Sequence, residues 1–189
     1  MRLDRDFYER TDVVAIAREL LGMVVHTRIG GSHVAAAITE TEAYAGVNDR
    51  ASHAFNGRRT ARNECLYARG GTAYVYICYG IHHLFNIVTH AEGVPHAVLV
   101  RGVQVLEGRS AADRRRGRPG AATDGPGTAA QALGIRRTHD GTDLLGDRIW
   151  IADEGRIIDP ATVRTGPRIG VDYAGPDALL PYRFRIHLP

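Results

Sequence analysis

The chain has 189 residues, a length that suits one domain and buries enough surface to fold without a disulfide or a structural metal. The hydrophobic fraction is 44% and the charged fraction 24%, ordinary values for a globular protein. All 24 basic residues are arginine, and with 21 acidic residues they give a net charge of +3. Because there is no lysine, a lysine Schiff base, a Walker-type phosphate lysine and a Ser–Lys dyad are excluded, and only the N-terminal amine can form an imine.

Cysteine content and apolar patterning limit the cellular setting. Cys65 and Cys78 are the only cysteines, too few for a four-cysteine zinc site or an iron–sulfur cluster. Two free thiols are typical of a reducing compartment. No apolar run approaches the roughly 18 residues of a membrane helix, and the first six residues are too charged for a signal peptide. We therefore expect a cytoplasmic protein with no membrane partner.

The predicted elements alternate short helices with strands. In chain order they are a helix over 12–21, strands over 23–29 and 33–44, a polar irregular segment over 45–71, strands over 72–79, 83–89 and 96–105, a helix over 126–133, and short strands over 148–152 and 182–187. The Arg-rich segment 108–124 is predicted to be a mobile loop, with a frayed helix as the alternative. Short turns rather than helical crossovers join the strands, which favours an antiparallel sheet in a single α+β domain over 1–189.

Two carboxylates and a phenol are predicted on one face of the second strand. Period-two alternation aligns Glu40, Glu42 and Tyr44, just before the long polar segment. A carboxylate in that position can act as a general base toward water. The alternative is a solvated edge strand with alternating charge.

The strand over 72–79 is rich in tyrosine. Alternation puts Tyr74 and Tyr76 on one face and Tyr79 on the other, and a tight turn at Gly80 would make Tyr79 project from a hairpin tip. Tyrosine rings stack on nucleobases, and a projecting aromatic side chain can separate a base step. The alternative is a strand whose tyrosine rings are simply half-buried.

Histidines and arginines suggest a nucleic acid more than a metal. His53, His82 and His83 lack metal-ligand spacing, so no metal is expected, and a metal-dependent hydrolase is the least favoured alternative. Two arginine-rich segments, 58–69 and 114–118, favour a polyanion, since arginine binds phosphate with two hydrogen bonds.

Several stretches, taken together and in order, resemble the alkyladenine (3-methyladenine) DNA glycosylase family. They are residues 38–44 with His53 nine positions later, 58–63, 71–80, 85–88, 97–101, 125–127 with 131–135, and 167–175. The resemblance covers nearly the whole chain. It implies a curved, mostly antiparallel sheet with a protruding β-hairpin that inserts into DNA.

The resemblance also implies residue roles. Glu42 corresponds to the general base that activates the attacking water, and Arg101 to a residue that holds that water. Tyr44, His53 and Tyr76 correspond to the rings around a flipped-out base. Further matches are Asn86, which crowds the exocyclic amino group of guanine, and Tyr79, the wedge inserted into the duplex, with Ile81 and His82 beside it at the hairpin tip.

One position departs from the family pattern. Thr128 stands where a lysine near the DNA backbone is common, so phosphate contacts are expected from Arg58, Arg62, the 114–118 cluster or the helix amides near Gly127.

The function implied is monofunctional base excision, without a cofactor and without strand cleavage. The protein would act as a monomer on double-stranded DNA that contains damaged purines, and would be associated with the nucleoid. The alternative from another class is a module that binds damaged DNA without cutting it.

Overall fold

The structure, a computed structural model, describes residues 1–188. The α-helices are α1 (Arg5–Tyr8), α2 (Val13–Glu19), α3 (Arg109–Arg116) and α4 (Pro126–Leu133). The strands are β1 (Val24–Ile29), β2 (Ser32–Tyr44), β3 (Ala73–Cys78), β4 (His82–Thr89), β5 (His96–Glu107), β6 (Ile149–Ala152), β7 (Arg164–Gly166) and β8 (Arg183–Arg185). Short 3₁₀ helices span Gly46–Asn48, Phe55–Gly57, Glu64–Tyr67, Arg137–His139, Pro160–Thr162 and Asp172–Leu179.

All eight strands belong to one antiparallel sheet built around β2. The main order is β3-β4-β5-β2-β1-β6. One edge of β2 pairs with β5, and the other pairs first with β1 and then, at residues 40–42, with β8, which also pairs with β7. The β2–β5 register shifts between Ile38 and Thr41. Such irregularities bend a strand, and the sheet curls into a half-barrel. The predicted α+β fold with a curved antiparallel sheet is confirmed.

Short helices cover the inner face of the sheet. Helix α4 packs on β4 and β5, and its buried face is mostly alanine, which allows a close approach to the sheet. Pro126 occupies the first turn of α4, and Gly134 ends it with φ +77°, a left-handed conformation suited to glycine. Helix α2 packs on β2, where the buried Thr41 hydroxyl donates a hydrogen bond to the Ala17 carbonyl at 2.7 Å. Within residues 1–188, no helix is both long enough and apolar enough to cross a membrane.

For the first half of the 108–124 segment the mobile loop is wrong and the helical alternative is found, because residues Arg109–Arg116 form α3. Gly108 caps the start of α3 with φ +74°, and Ala111 and Ala112 form the buried face of the helix. Arg115 donates to the Ala132 carbonyl at 3.1 Å and to the Ile29 carbonyl at 2.7 Å. A guanidinium that fills open carbonyls of neighbouring elements fixes a helix whose sequence looks like solvated charge.

Replacing Arg115 by Ala should lower the free energy of unfolding by about 1–3 kcal/mol, because two carbonyls lose a charged donor. The matched control is Arg114→Ala, since Arg114 is exposed on the same helix. Its effect should stay within about 0.5 kcal/mol. Urea unfolding followed by the fluorescence of the single tryptophan, Trp150, measures both. Equal losses for the two variants would contradict the assignment.

Candidate active site

Glu42 is a carboxylate buried in the middle of the sheet. Its side chain is 0% exposed. The backbone amide of Ile169 donates to Oε1 at 2.8 Å, and the Tyr44 hydroxyl donates to Oε2 at 2.8 Å. Arg101 Nε lies 3.5 Å from Oε1. The alternative of a solvated edge strand is therefore wrong, because β2 has partners along both edges and its acidic face lies inside the protein.

Burial raises the pKa of Glu42 above its ordinary value, although Arg101, the Ile169 amide and Tyr44 act in the opposite direction. A carboxylate with a raised pKa accepts a proton more readily than an exposed one. Burial and the neighbouring Glu42 also raise the pKa of Tyr44, so this phenol stays protonated and keeps donating to the carboxylate.

Glu42 lies in the wall of a cavity of about 380 Å³. The structure brings together here all six residues that the sequence assigned to catalysis and base binding. They are Glu42, Tyr44, His53, Tyr76, Asn86 and Arg101. This volume falls in the range of small-molecule sites. The cavity combines flat rings with one buried carboxylate. Such a site can hold a planar ligand next to a group that accepts protons.

The aromatic wall is fixed by contacts among its rings. His53 Nδ1 and the Tyr74 hydroxyl share a hydrogen bond at 2.8 Å, and the His53 and Tyr76 ring centroids are 4.6 Å apart. Burial, followed by Arg58 and Arg62, lowers the pKa of His53. The neutral form of the His53 ring therefore prevails at neutral pH.

Asn86 is fixed on the neighbouring strand β4. It is buried, and its Nδ2 donates to the Tyr74 carbonyl at 3.1 Å. This contact ties the amide to the strand that carries the rings, so its position in the cavity wall is set by the β3–β4 pairing.

The β3–β4 hairpin projects Tyr79 into solvent at the cavity rim. Tyr79 is 92% exposed and has φ +51°, and Gly80 follows with φ +75°. Two consecutive positive φ values match a type I′ turn, whose twist suits a hairpin. Ile81 is 72% exposed at the same tip. His82 is also exposed and lies close to α4, where a Cβ added to Gly127 would be 2.9 Å from His82 Nδ1.

Arginines flank the hairpin in two grooves. One groove, of about 330 Å³, is lined by Arg58 and Arg62. The other, of about 1030 Å³, contains Gly127 and three arginines, Arg114, Arg115 and Arg136, with Ile81, His82, His83 and His139. Two other arginines of the 58–69 segment form ion pairs at the surface, Arg59 with Glu64 at 2.6 Å and Arg69 with Glu9 at 2.8 Å.

The three histidines have separate partners. His53 is bonded to Tyr74, His82 packs on Gly127, and His83 Nδ1 accepts from the Arg137 amide at 3.2 Å. In the described part of the chain, no three His, Cys, Asp or Glu side chains are grouped to hold a metal ion. The histidine arrangement on which the metal-hydrolase alternative depended is therefore not formed.

Sequence reasoning assigned no role to the segment after β7, which completes the site. Arg168 is fully buried and donates to Asp49 Oδ1 at 2.8 Å and to the Ala43 carbonyl at 2.9 Å. Its guanidinium carbon lies 4.8 Å from the Tyr44 ring centroid. The next residue, Ile169, supplies the amide that binds Glu42. The only signal in the sequence was the resemblance over 167–175, which carries no information about partners 119 positions away.

Tyr173 is a second aromatic side chain at the cavity mouth that the sequence analysis did not assign. It is 71% exposed and lines the cavity with Tyr79. Its hydroxyl donates to the Ala51 carbonyl at 3.2 Å, which joins the 167–175 segment to the loop that carries His53.

Comparison with known proteins identifies the family of the chain. The sequence model of the family described as Methylpurine-DNA glycosylase (MPG) matches residues 6–188. The chain is 40% identical over 193 residues to a protein of Desulfitobacterium hafniense (strain Y51), covering 97% of the chain and 94% of the relative. It is 41% identical over 190 residues to one of Chlamydia abortus (98% and 98%) and 45% identical over 190 residues to one of Anaeromyxobacter dehalogenans (98% and 84%). All three carry the name "Putative 3-methyladenine DNA glycosylase". The chain belongs to the methylpurine-DNA glycosylase family.

Proposed function

We propose that the protein is a monofunctional DNA glycosylase that hydrolyses the N-glycosidic bond of damaged purines, such as 3-methyladenine, 7-methylguanine and hypoxanthine. The observation that carries the proposal is a buried carboxylate, Glu42, in an aromatic cavity beside a projecting hairpin. We also propose that it acts as a monomer, because one chain contains the cavity, the Glu42 carboxylate and the Tyr79 wedge and so needs no second copy for the reaction. Its substrate is double-stranded DNA, which locates its action at the nucleoid.

Base recognition follows from the cavity walls. A base within a duplex is out of reach, so the nucleotide rotates outward at a cost of a few kcal/mol. Tyr44, His53 and Tyr76 offer ring surfaces, and stacking returns about 1–3 kcal/mol per base. Alkylation at N3 or N7 makes a purine cationic, which strengthens its attraction to an aromatic face. Asn86 limits the space next to the exocyclic amino group of guanine.

The chemistry needs one water and one base. Glu42 accepts a proton from water as its oxygen attacks the anomeric carbon and the bond to the purine nitrogen breaks, with the bonding electrons leaving on the base. An alkylated base departs neutral because it began as a cation. The ionised Glu42 also stabilises positive charge that develops on the sugar, and Arg101 orients the water. The product is an abasic site in an intact strand.

Glu42→Gln should lower the single-turnover rate of base release by about 10²–10⁴-fold, because the amide cannot accept the proton of water. Affinity for a lesion duplex should be retained. The matched control is Glu19→Gln, since Glu19 pairs with Arg10 on the protein surface. The assay measures free hypoxanthine or 3-methyladenine. A separate test addresses strand cleavage through an imine, and there borohydride should trap no protein–DNA adduct with the wild-type enzyme. Undiminished release by Glu42→Gln would contradict the assignment.

Tyr79→Ala should leave stability unchanged, since this side chain is 92% exposed. Excision from a fully paired duplex should fall about 5–150-fold, the equivalent of about 1–3 kcal/mol of lost stacking. Excision of the same lesion from a single-base bulge should fall much less, because that nucleotide is already unstacked. Equal losses on both substrates would show that Tyr79 does not act by opening the duplex.

The larger arginine groove is proposed to bind backbone phosphates of the DNA beside the wedge. Replacing Arg114 and Arg136 together by Gln should make the plot of log affinity against log salt shallower by about 1–2, since each neutralised phosphate contributes about 0.9 to the slope. The loss should be similar for damaged and undamaged duplexes. The control pair, Arg18→Gln with Arg156→Gln, lies around a separate cavity and should leave the slope unchanged. An unchanged slope in the Arg114→Gln, Arg136→Gln variant would show that this groove does not contact DNA phosphates.

A further inference from the structure

Arg101 is shared between two carboxylates. Its Nε lies 3.5 Å from Glu42 Oε1 and 3.4 Å from Glu40 Oε1. The Glu40 side chain is only 8% exposed, and its Oε1 also accepts a hydrogen bond from Arg183 Nη1 at 3.0 Å. Four charges therefore alternate in sign across the strands, from Glu42 through Arg101 and Glu40 to Arg183.

The shared arginine is held at an intermediate distance from both carboxylates. Arg101 Nε is buried and makes no hydrogen bond within the described residues, although a carboxylate oxygen of Glu40 and one of Glu42 both lie within 3.5 Å of it. A committed Arg–carboxylate pair is shorter, about 2.7–2.9 Å. Each carboxylate thus draws Arg101 away from the other.

Glu42 can accept a proton from water only if Arg101 is kept from forming a short ion pair with it. Its two oxygens already accept from the Ile169 amide and the Tyr44 hydroxyl. A short ion pair with Arg101 would fill further lone-pair sites and make the carboxylate a weaker base. The Arg101 guanidinium would also leave the position from which it can orient the water.

We propose that Glu40 is a positioning residue, whose carboxylate keeps Arg101 between itself and Glu42 and so preserves Glu42 as a proton acceptor. This inference rests on the proposed function, in which Glu42 is the general base. No step assigns a contact with DNA to Glu40. Its effect passes through Arg101.

The sign of the pH effect follows from the charges around Glu42. The titratable or charged side chains that act on Glu42 or on its partner Glu40 are Arg101 from β5, Glu40 and Tyr44 from β2, Tyr76 from β3, Arg168 and Tyr173 from the segment after β7, and Arg183 from β8. Among these, Glu40 raises the pKa of Glu42 and Arg101 lowers it. Removing the charge of Glu40 therefore lowers the pKa of Glu42 twice, by the loss of repulsion and by the closer approach of Arg101.

The test compares pH–rate profiles for single-turnover release of 7-methylguanine at saturating enzyme. This base is already cationic, so the acid limb reports the ionisation of Glu42 without a requirement to protonate the leaving group. In Glu40→Gln the midpoint of the acid limb should move down by roughly 0.5–1 pH unit, and the plateau rate should fall several-fold. Glu40→Asp keeps the charge and should retain the wild-type midpoint. Glu19→Gln, the surface control, should match wild type throughout.

Arg183→Gln separates the positioning role from a merely structural one. This substitution leaves Glu40 charged but removes its second partner, so Arg101 should move toward Glu40 and away from Glu42. The midpoint of the acid limb should then shift to higher pH. If the Glu40–Arg183 ion pair only joins β2 to β8, both variants should have a lower melting temperature and neither midpoint should shift. Shifts of the same sign in Glu40→Gln and Arg183→Gln, or no shift in either, would overturn the proposal.

Titration of the Glu42 carboxyl carbon by NMR, assigned with Glu42→Gln, provides a readout that does not require activity. A lower pKa of Glu42 in Glu40→Gln, combined with no base release by the wild-type protein, would defeat the proposed function and leave the coupling intact. Normal base release with an unchanged Glu42 pKa would defeat the coupling and leave the function intact.

Discussion

The structure depends on keeping one carboxylate, Glu42, ionisable inside the protein. Removing a carboxylate from water costs several kcal/mol unless hydrogen bonds and an opposite charge offset the loss. The Tyr44 hydroxyl, the Ile169 amide and the Arg101 guanidinium provide that compensation. They come from β2, from the segment after β7 and from β5, so these three parts of the chain must all be in place before Glu42 has its partners.

Much of the surrounding architecture serves to hold those three partners. The register shifts in β2 let Glu40 and Glu42 both approach Arg101. The buried Arg168–Asp49 pair fixes the turn before Ile169 and places a guanidinium against the Tyr44 ring. Breaking such a buried pair leaves an uncompensated charge, so its loss affects the surroundings of Glu42 as well as stability.

Part of this could be predicted from sequence because it depends on local periodicity. Alternation along residues 40–44 correctly grouped the acidic face, and the turn glycine at position 80 correctly indicated the projection of Tyr79. Alternation along residues 74–79 placed Tyr79 on the face opposite Tyr74 and Tyr76, which is wrong, because Tyr79 lies in the turn and lines the same cavity as those two rings. Helix α3 was predicted only as the alternative to a mobile loop, because Arg115 resembles solvated charge until its carbonyl partners on β1 and α4 are known. The Arg168–Asp49 and Ile169–Glu42 contacts join positions more than a hundred residues apart, which periodicity does not encode.

The most direct measurement of the central claim is the product formed by the wild-type protein from a duplex with a single hypoxanthine or 3-methyladenine, under single-turnover conditions without added metal. Free base should appear at the rate at which abasic sites form, while the strand stays uncut until it is treated with alkali. Tight binding of the lesion duplex with no release of base would contradict the account, and would identify the cavity as a recognition site without chemistry.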